Sequence, residues 1–339
     1  MIKSHNVSQS TLPTLGGVEA ALKAIRPYQP ETPLVRSTIL SRRLRANVWL
    51  KNETVSPISC FKIRGAVHAL LMAQTRGPAT VAVTSSTGNH GQGVAWAAAQ
   101  LALAADIFLP EGSNAVKKAM IRALGARLHE TGRDIDEAKD FARVHAAQPG
   151  HVFVDDGESL DVIEGAGTVG LEAAKQLRKI DTVFVPMGSG SLASGCAAAV
   201  KGVHSSACVI AVQAEGAPAM AESFRLRRPV ERPIATVADG LVSRVPAELA
   251  LRALLAFVDD VATVSDDELL SSVRTLITEC HIMVEPSGAA ALAAAWRRRR
   301  EIEGQTVVLV LTGSNVTVPV LQRALACRSL FSDDRHGHC

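Results

Sequence analysis

The 339-residue sequence has no CxxC pair, no long uninterrupted apolar run and almost no net charge. Its six cysteines (Cys60, Cys196, Cys208, Cys280, Cys327 and Cys339) are scattered without metal-ligand spacing. That excludes a disulfide framework and a zinc module, and it fits reduced thiols in a cytoplasmic protein. The first residues, MIKSHNVSQS, carry no apolar signal region, and no apolar run could span a bilayer, so a soluble, cytoplasmic chain is expected. A net charge of +3 is too small to imply a nucleic-acid or membrane partner. The one dense basic run, Arg297 to Arg300, follows an alanine-rich helical stretch and reads as a solvated helix C-terminus. Repeats, low-complexity tracts and a long linker are also absent.

What is present is alternation. Short β-branched runs occur at 48–51, 80–84, 105–109, 126–130 and 152–154, and again at 182–186, 209–214, 260–264 and 307–311. Between them lie alanine- and leucine-rich stretches with helical spacing at 64–76, 90–101, 115–124, 134–147, 161–178, 191–201, 266–279 and 287–299. Strand–helix–strand alternation predicts an α/β fold with open, mostly parallel sheets covered by helices on both faces. The strands are too many for one modest sheet, so two domains are expected. Residues 216–246, with four prolines and little periodicity, break the pattern and read as a long irregular excursion.

Three glycine- and serine-rich turns each follow a strand and precede a helix, where ligands of open α/β sheets bind. The turn Gly188-Ser189-Gly190-Ser191-Leu192 lets a backbone approach an anion at a helix N-terminus, although steric need alone also favours small residues there. It has neither the GxGxxG spacing of a dinucleotide site nor the GK[ST] ending of a nucleotide loop. The turn SSTGNHGQG, Ser85 to Gly93, supplies more hydroxyl, amide and imidazole groups than a helix cap needs, and suits a carboxylate. In SCFKIRGA, Lys62 stands just before a helix. A lysine in a solvated first turn is the ordinary alternative, but an amine near a phosphate cup and a carboxylate turn is what Schiff-base chemistry requires.

These segments, in this order, resemble the fold-type II pyridoxal-phosphate family, in its threonine/serine dehydratase and serine racemase branch. The likeness runs from Thr32-Pro33-Leu34 to Asn315. It implies a tryptophan synthase β-like arrangement of two α/β domains with pyridoxal 5′-phosphate in the cleft between them. Residues 80–158 would form a small inserted domain, and 1–79 with 159–339 the large one. By the same resemblance Lys62 would form the Schiff base and exchange the Cα proton, Phe61 would lie against the cofactor, and Asn89 would bond its 3-hydroxyl. Ser86, Thr87, Asn89 and His90 would bind the substrate carboxylate, and Gly188, Ser189, Gly190, Ser191 and Leu192 the phosphate. Thr312 would face the pyridine nitrogen, leaving it unprotonated and suited to β-elimination, and Glu285 matches an acidic residue near that end of the ring. A homodimer is a further implication.

Departures from the pattern refine the expectation. Ser59-Cys60 replaces Gly-Ser before the Phe-Lys pair. Thr87 stands where racemases carry the serine that serves as second acid/base; its methyl should crowd that face and favour a dehydratase. Glu164 in VIEGAGT either faces the cleft, favouring a cationic substrate, or caps a helix at the surface. A divalent-cation site is implied with Glu215 and the Ala219 carbonyl, but its third position is Ala221, with Glu222 adjacent. After Asn315 only a short tail remains, ending in DDRHGHC, which suits a short catabolic enzyme without a regulatory domain. His336 and His338 in that tail are too few to argue for a metal. The leading reading is a dehydratase releasing ammonia from threonine, serine or a related β-hydroxy amino acid such as 3-hydroxyaspartate. A specialised dehydratase of solute degradation, such as hydroxyectoine use, fits the departures equally well. The alternatives are an amino-acid racemase and a non-catalytic amino-acid sensor.

Overall fold

A computed structural model describes residues 12–331; the expectations for Cys339, His336, His338 and the first residues lie outside them. Ten strands form two sheets among the described residues: β1 (Leu34–Arg36), β2 (Asn47–Asn52), β3 (Val81–Ser85), β4 (Ala104–Leu109), β5 (Arg127–Glu130), β6 (His151–Phe153), β7 (Thr182–Pro186), β8 (Cys208–Ala214), β9 (Asp260–Val264) and β10 (Thr306–Leu311). The larger sheet runs β1-β2-β10-β7-β8-β9, parallel except for β1 against β2, and the smaller runs β5-β4-β3-β6, wholly parallel. The expected α/β architecture of parallel-rich sheets is therefore met.

Alternating side chains explain why the large sheet carries helices on both faces. Val307, Leu309 and Leu311 of β10 pack into one cluster with Phe184, Leu276 and the alanines of helix Pro286–Arg297. Val308 and Val310 pack into the other, with Val183, Val185 and helices Leu160–Gln176 and Ser191–Val203. Each such buried side chain contributes roughly 1.5–3 kcal/mol, which is why these strands read as continuous apolar runs. The small sheet shares its core with helix Lys62–Arg76, which contributes Ala66, Val67, Ala69 and Leu70 to it.

Two features differ from expectation. Strand β1 has only three residues and pairs at the sheet edge, too short to show a period. The 216–246 excursion is not wholly irregular: it contains helix Ala219–Leu226, whose Ala219, Met220, Ala221 and Ser223 are buried, and a 3-10 turn at Asp239–Leu241. The irregular remainder reaches across to the small sheet's unit, where Arg244 Nε donates to Asp136 at 2.7 Å and Lys117 pairs with Asp239. The basic run ends its helix as expected: Arg298 pairs with Asp260 at 2.6 Å, and the Arg299 guanidinium lies 4.3 Å from the Trp296 ring centroid. No described helix is long and apolar enough to cross a membrane.

Candidate active site

Four loops that follow the carboxyl ends of parallel strands meet between the two sheets: 86–88 after β3, 154–158 after β6, 187–190 after β7 and 312–317 after β10. The segment leading to Lys62 is tied into the last of them. Phe61 N donates to Thr312 O at 3.1 Å, Ser314 N donates to Ser59 O at 2.9 Å, and Cys60 bridges Gly313. Ser59 holds φ +54°, a left-handed conformation that suits glycine, so its departure from the familiar Gly-Ser pair carries a backbone cost.

Beneath Lys62 lies a buried charge network. Arg64 Nε donates to Glu53 Oε2 at 2.7 Å and Arg64 Nη2 to Glu172 Oε2 at 2.9 Å, while Lys51 Nζ donates to Glu172 Oε2 at 2.6 Å. All four side chains are at most 1% exposed. Two cations and two carboxylates balance, and they join the end of β2, the first turn of helix Lys62–Arg76 and helix Leu160–Gln176. The network thereby fixes the turn that carries Lys62.

The Lys62 ammonium lies 2.5 Å from each oxygen of Asp156, and 5.0 Å from the centroid of the Phe61 ring. Asp156 follows β6 and is absent from the residues expected at the site. Its signal in the sequence is only a pair of carboxylates, Asp155-Asp156, directly after a strand, a pattern too common to mark a function. Burial would raise its pKa, but the Lys62 ammonium holds the carboxyl well below the usual range. Burial also pushes the His90 imidazole down, so it is neutral near pH 7. Its Nε2 faces Val154 O at 3.0 Å, while buried Nδ1, 3.6 Å from Asp156 Oδ1, has no hydrogen-bond partner in the protein. The imidazole of His90 is thus aimed at Asp156, and within the 85–93 turn Ser86 Oγ accepts from Gly88 N at 3.2 Å. Thr87 lies half-buried between them in sequence.

Ser189 and Ser191 join the same cluster. Ser191 Oγ donates to Asp156 Oδ1 at 3.4 Å, and Ser189 Oγ to Asp156 O at 3.3 Å. Gly188 has no room for a side chain, since a Cβ there would sit 2.5 Å from Gly240 O, in the excursion's 3-10 turn. Gly190 holds φ +97° as the N-cap of helix Ser191–Val203, and Leu192 is buried behind it. The first-turn amides of this 13-residue helix are without intrahelical acceptors, which favours an anion.

Asn89, at the start of helix Asn89–Gln100, donates through Nδ2 to Glu285 Oε1 at 2.8 Å, and its Oδ1 accepts from Asn315 Nδ2 at 2.7 Å. One amide hydrogen of Asn89 stays free for a ligand. Burial pushes the Glu285 carboxyl up to about 7, against the bond from Asn89. Its ordinary value is 4.5, so the folded chain binds this proton more tightly than the unfolded chain does. The cofactor-free protein should therefore lose stability as pH rises from about 4.5 to 7, and Glu285→Gln should remove that slope. Thermal midpoints of both proteins across this window check it; parallel curves would refute it.

The site fits pyridoxal phosphate: a lysine amine, a small-residue turn in which a Cβ at Gly188 would clash, and a buried Asn–Glu pair face one another. Two other expectations fare differently. Glu164 is not in the cleft; its Oε1 accepts from Thr14 N at 3.4 Å and lies where a Cβ on Gly17 would fall, so it packs against helix Leu15–Ile25. The implied cation oxygens are already engaged. Glu215 Oε1 accepts from Arg297 Nη2 at 2.9 Å, and the Ala219 carbonyl accepts from Ser223 Oγ at 2.6 Å. Arg297 Nη1 also donates to Thr263 O at 2.6 Å, while Glu222 pairs with Arg232 at 2.6 Å. With Glu215 paired to Arg297, the Ala219 carbonyl in a helix bond and Ala221 in the third position, too few free oxygens remain for a hard divalent cation. Millimolar magnesium or calcium should leave the thermal midpoint unchanged; a rise with either would contradict this.

A lysine at a helix start, facing a small-residue strand-to-helix turn across a cleft between two parallel sheets, defines a cofactor-dependent α/β enzyme. Residues 25–313 match the pyridoxal-phosphate dependent enzyme family, and the chain belongs to it. It is 33% identical over 308 residues to the L-threonine dehydratase catabolic TdcB of Staphylococcus aureus, covering 89% of each chain. Its structure is similar to that of a threonine deaminase from T.th., with a TM-score of 0.84 and 33% identity over 90% of this chain and 99% of that one. Maize serine racemase is similar too, with a TM-score of 0.85 and 27% identity over 97% of this chain and all of that one (100%).

Proposed function

We propose that this chain is a dehydratase and ammonia-lyase that converts a β-hydroxy amino acid to a keto acid and ammonia by α,β-elimination. The observation that carries the reading is Asp156 joining the Lys62 amine to Ser191 of the 188–192 turn, with Asn89 and Glu285 paired in the same site. The residues present would hold the cofactor as follows: Lys62 by a Schiff base, Phe61 against the ring, Asn89 at its 3-hydroxyl, Thr312 at its nitrogen, and Glu285 near the nitrogen end, bonded to the Asn89 amide. Gly188, Ser189, Gly190, Ser191 and Leu192 would hold its phosphate. Bound there, pyridoxal phosphate supplies an electron-withdrawing ring that acidifies the Cα–H of an attached amino acid.

The remaining steps fall to the chain. Ser86, Thr87, Asn89 and His90 hold the substrate carboxylate at the N-terminus of helix Asn89–Gln100. Lys62, freed when the substrate amine takes its place, accepts the Cα proton, and Asp156 stabilises the resulting ammonium. The methyl group of Thr87 crowds the opposite face of Cα, so return of a proton there is disfavoured and loss of the β-hydroxyl prevails. The same reading assigns the two sheets to a small domain, 80–158, and a large one, and makes the enzyme a cytoplasmic homodimer.

The alternative, a racemase, draws on the surviving Thr87 hydroxyl and the likeness to serine racemase. Incubation with L-threonine, L-serine and 3-hydroxyaspartate, with ammonia, keto acid and substrate chirality followed together, separates the two. Ammonia and keto acid are expected in equal amounts from at least one substrate. Accumulation of the opposite enantiomer without ammonia would overturn the lyase in favour of the racemase, and silence on all three would refute this substrate class.

A further inference from the structure

A second cluster of metal-ligating side chains lies outside the site, between the small sheet and the C-terminus of helix Ile135–His145. Asp106 of β4, 2% exposed, is at its centre. Its Oδ2 accepts from His145 Nε2 at 2.9 Å and from Arg127 Nη2 at 2.9 Å; its Oδ1 accepts from His129 Nε2 at 3.1 Å and from Arg127 Nε at 2.6 Å. The His151 ring meets that of His145 edge-on, with centroids 4.9 Å apart, and the His129 ring lies 5.5 Å from His145 on the other side. Ligand atoms of Asp106, His145 and His151 all lie within 4.8 Å of one another. Strand register explains the convergence. Asp106 pairs with Val83, His151 with Val81 and His129 with Phe108, so all three project from one face of the sheet, under the helix that supplies His145.

We propose that Asp106, His145 and His151 form a zinc site separate from the catalytic centre, with His129, outside that group but bonded to Asp106, turning in as a fourth donor. Three imidazoles and one carboxylate are a donor set that zinc accepts in tetrahedral geometry, at about 2.0–2.2 Å per bond. One tautomer is already set for it. His151 Nδ1 faces Pro149 O at 3.2 Å, which fixes the proton on that nitrogen and leaves Nε2 as the ligand. His145 Nδ1 accepts from Gln148 Nε2 at 3.2 Å, so its proton sits on Nε2, toward Asp106; turning the Gln148 amide to present its oxygen moves that proton to Nδ1 and frees Nε2. On binding, zinc takes the Nε2 positions that His145 and His129 now use as donors to Asp106, and each ring's proton moves to its Nδ1, so both ligate as neutral imidazoles. The imidazoles are partly exposed, so small ring rotations can close the 4.8 Å spacing. Arg127 competes for the same carboxylate, but its side chain is 61% exposed and can turn outward. It sets the affinity: a cation must displace a guanidinium.

The test is titration of the full-length holoenzyme with zinc against a chromophoric chelator, and with cobalt for the absorbance of a tetrahedral complex. One zinc per chain is expected, weakened at least tenfold in His145→Ala and in His151→Gln, and tightened in Arg127→Ala. Turnover should not depend on the two histidine substitutions. His336 and His338 offer another source of affinity, so His336→Ala/His338→Ala serves as the control. Binding kept in that variant and lost in His151→Gln supports the site. Binding lost with the tail histidines, or unchanged in His145→Ala and His151→Gln, overturns it, as does an absence of stoichiometric binding.

Discussion

Lys62→Ala is expected to lower turnover at least about a thousandfold while the protein stays folded. Nothing else in the site can take over its work. Burial weakens His90 as a base and aims its free nitrogen at Asp156, Glu285 is turned to Asn89, and none of the three can form a Schiff base. The fold should tolerate the change because the Lys62 side chain donates to Asp156 and is not part of the buried network below it. Steady-state kinetics together with a thermal melt read both halves. Turnover within tenfold of the wild type would refute the assignment of Lys62. A collapsed melt would make the lysine structural instead.

Arg64→Met is expected to destabilise the enzyme by roughly 3–5 kcal/mol, the cost of breaking a fully buried ion pair from one side. The substitution leaves Glu53 and Glu172 with Lys51 as their buried cation, while Arg26 reaches Glu172 from the surface. Because domains of this size carry only about 5–15 kcal/mol of stability, the melting midpoint should fall on the order of 10 °C. The double variant Glu53→Gln/Arg64→Met should lose less than the sum of the single losses, since it does not strand the carboxylate of Glu53. Strict additivity would show that the network does not act as a unit. A loss below about 1 kcal/mol would place Arg64 in a solvated setting, contrary to its complete burial.

Much of this architecture is legible along the chain because parallel strands buried on both faces must be continuous apolar runs, as β7 and β10 are, while the short runs between helical stretches mark seven more. β1 is not marked, because three residues at an edge take their register from β2 and show no period. Helix Ala219–Leu226 is hidden among prolines, its apolar face short and its start set by Pro218. The three small-residue turns are legible one by one from their chemistry. Their convergence is not, because it depends on β3 and β6 in one sheet ending against β7 and β10 in the other. Asp156 shows this most directly. In the sequence it is one of two adjacent acids, and only the approach of Lys62 and Ser191 reveals it. For Glu164 the sequence leaves two settings open, the cleft or a helix end at the surface, and the turn of its helix sends it to Thr14 at the start of helix Leu15–Ile25.

The most direct test of the central claim is chemical. Borohydride reduction of the purified enzyme, followed by peptide mapping, should find a phosphopyridoxyl group on Lys62 and on no other lysine. Reduction should also bleach the visible absorbance of the enzyme. A modified peptide carrying another lysine, or no modified peptide in an enzyme that still releases ammonia, would contradict the account.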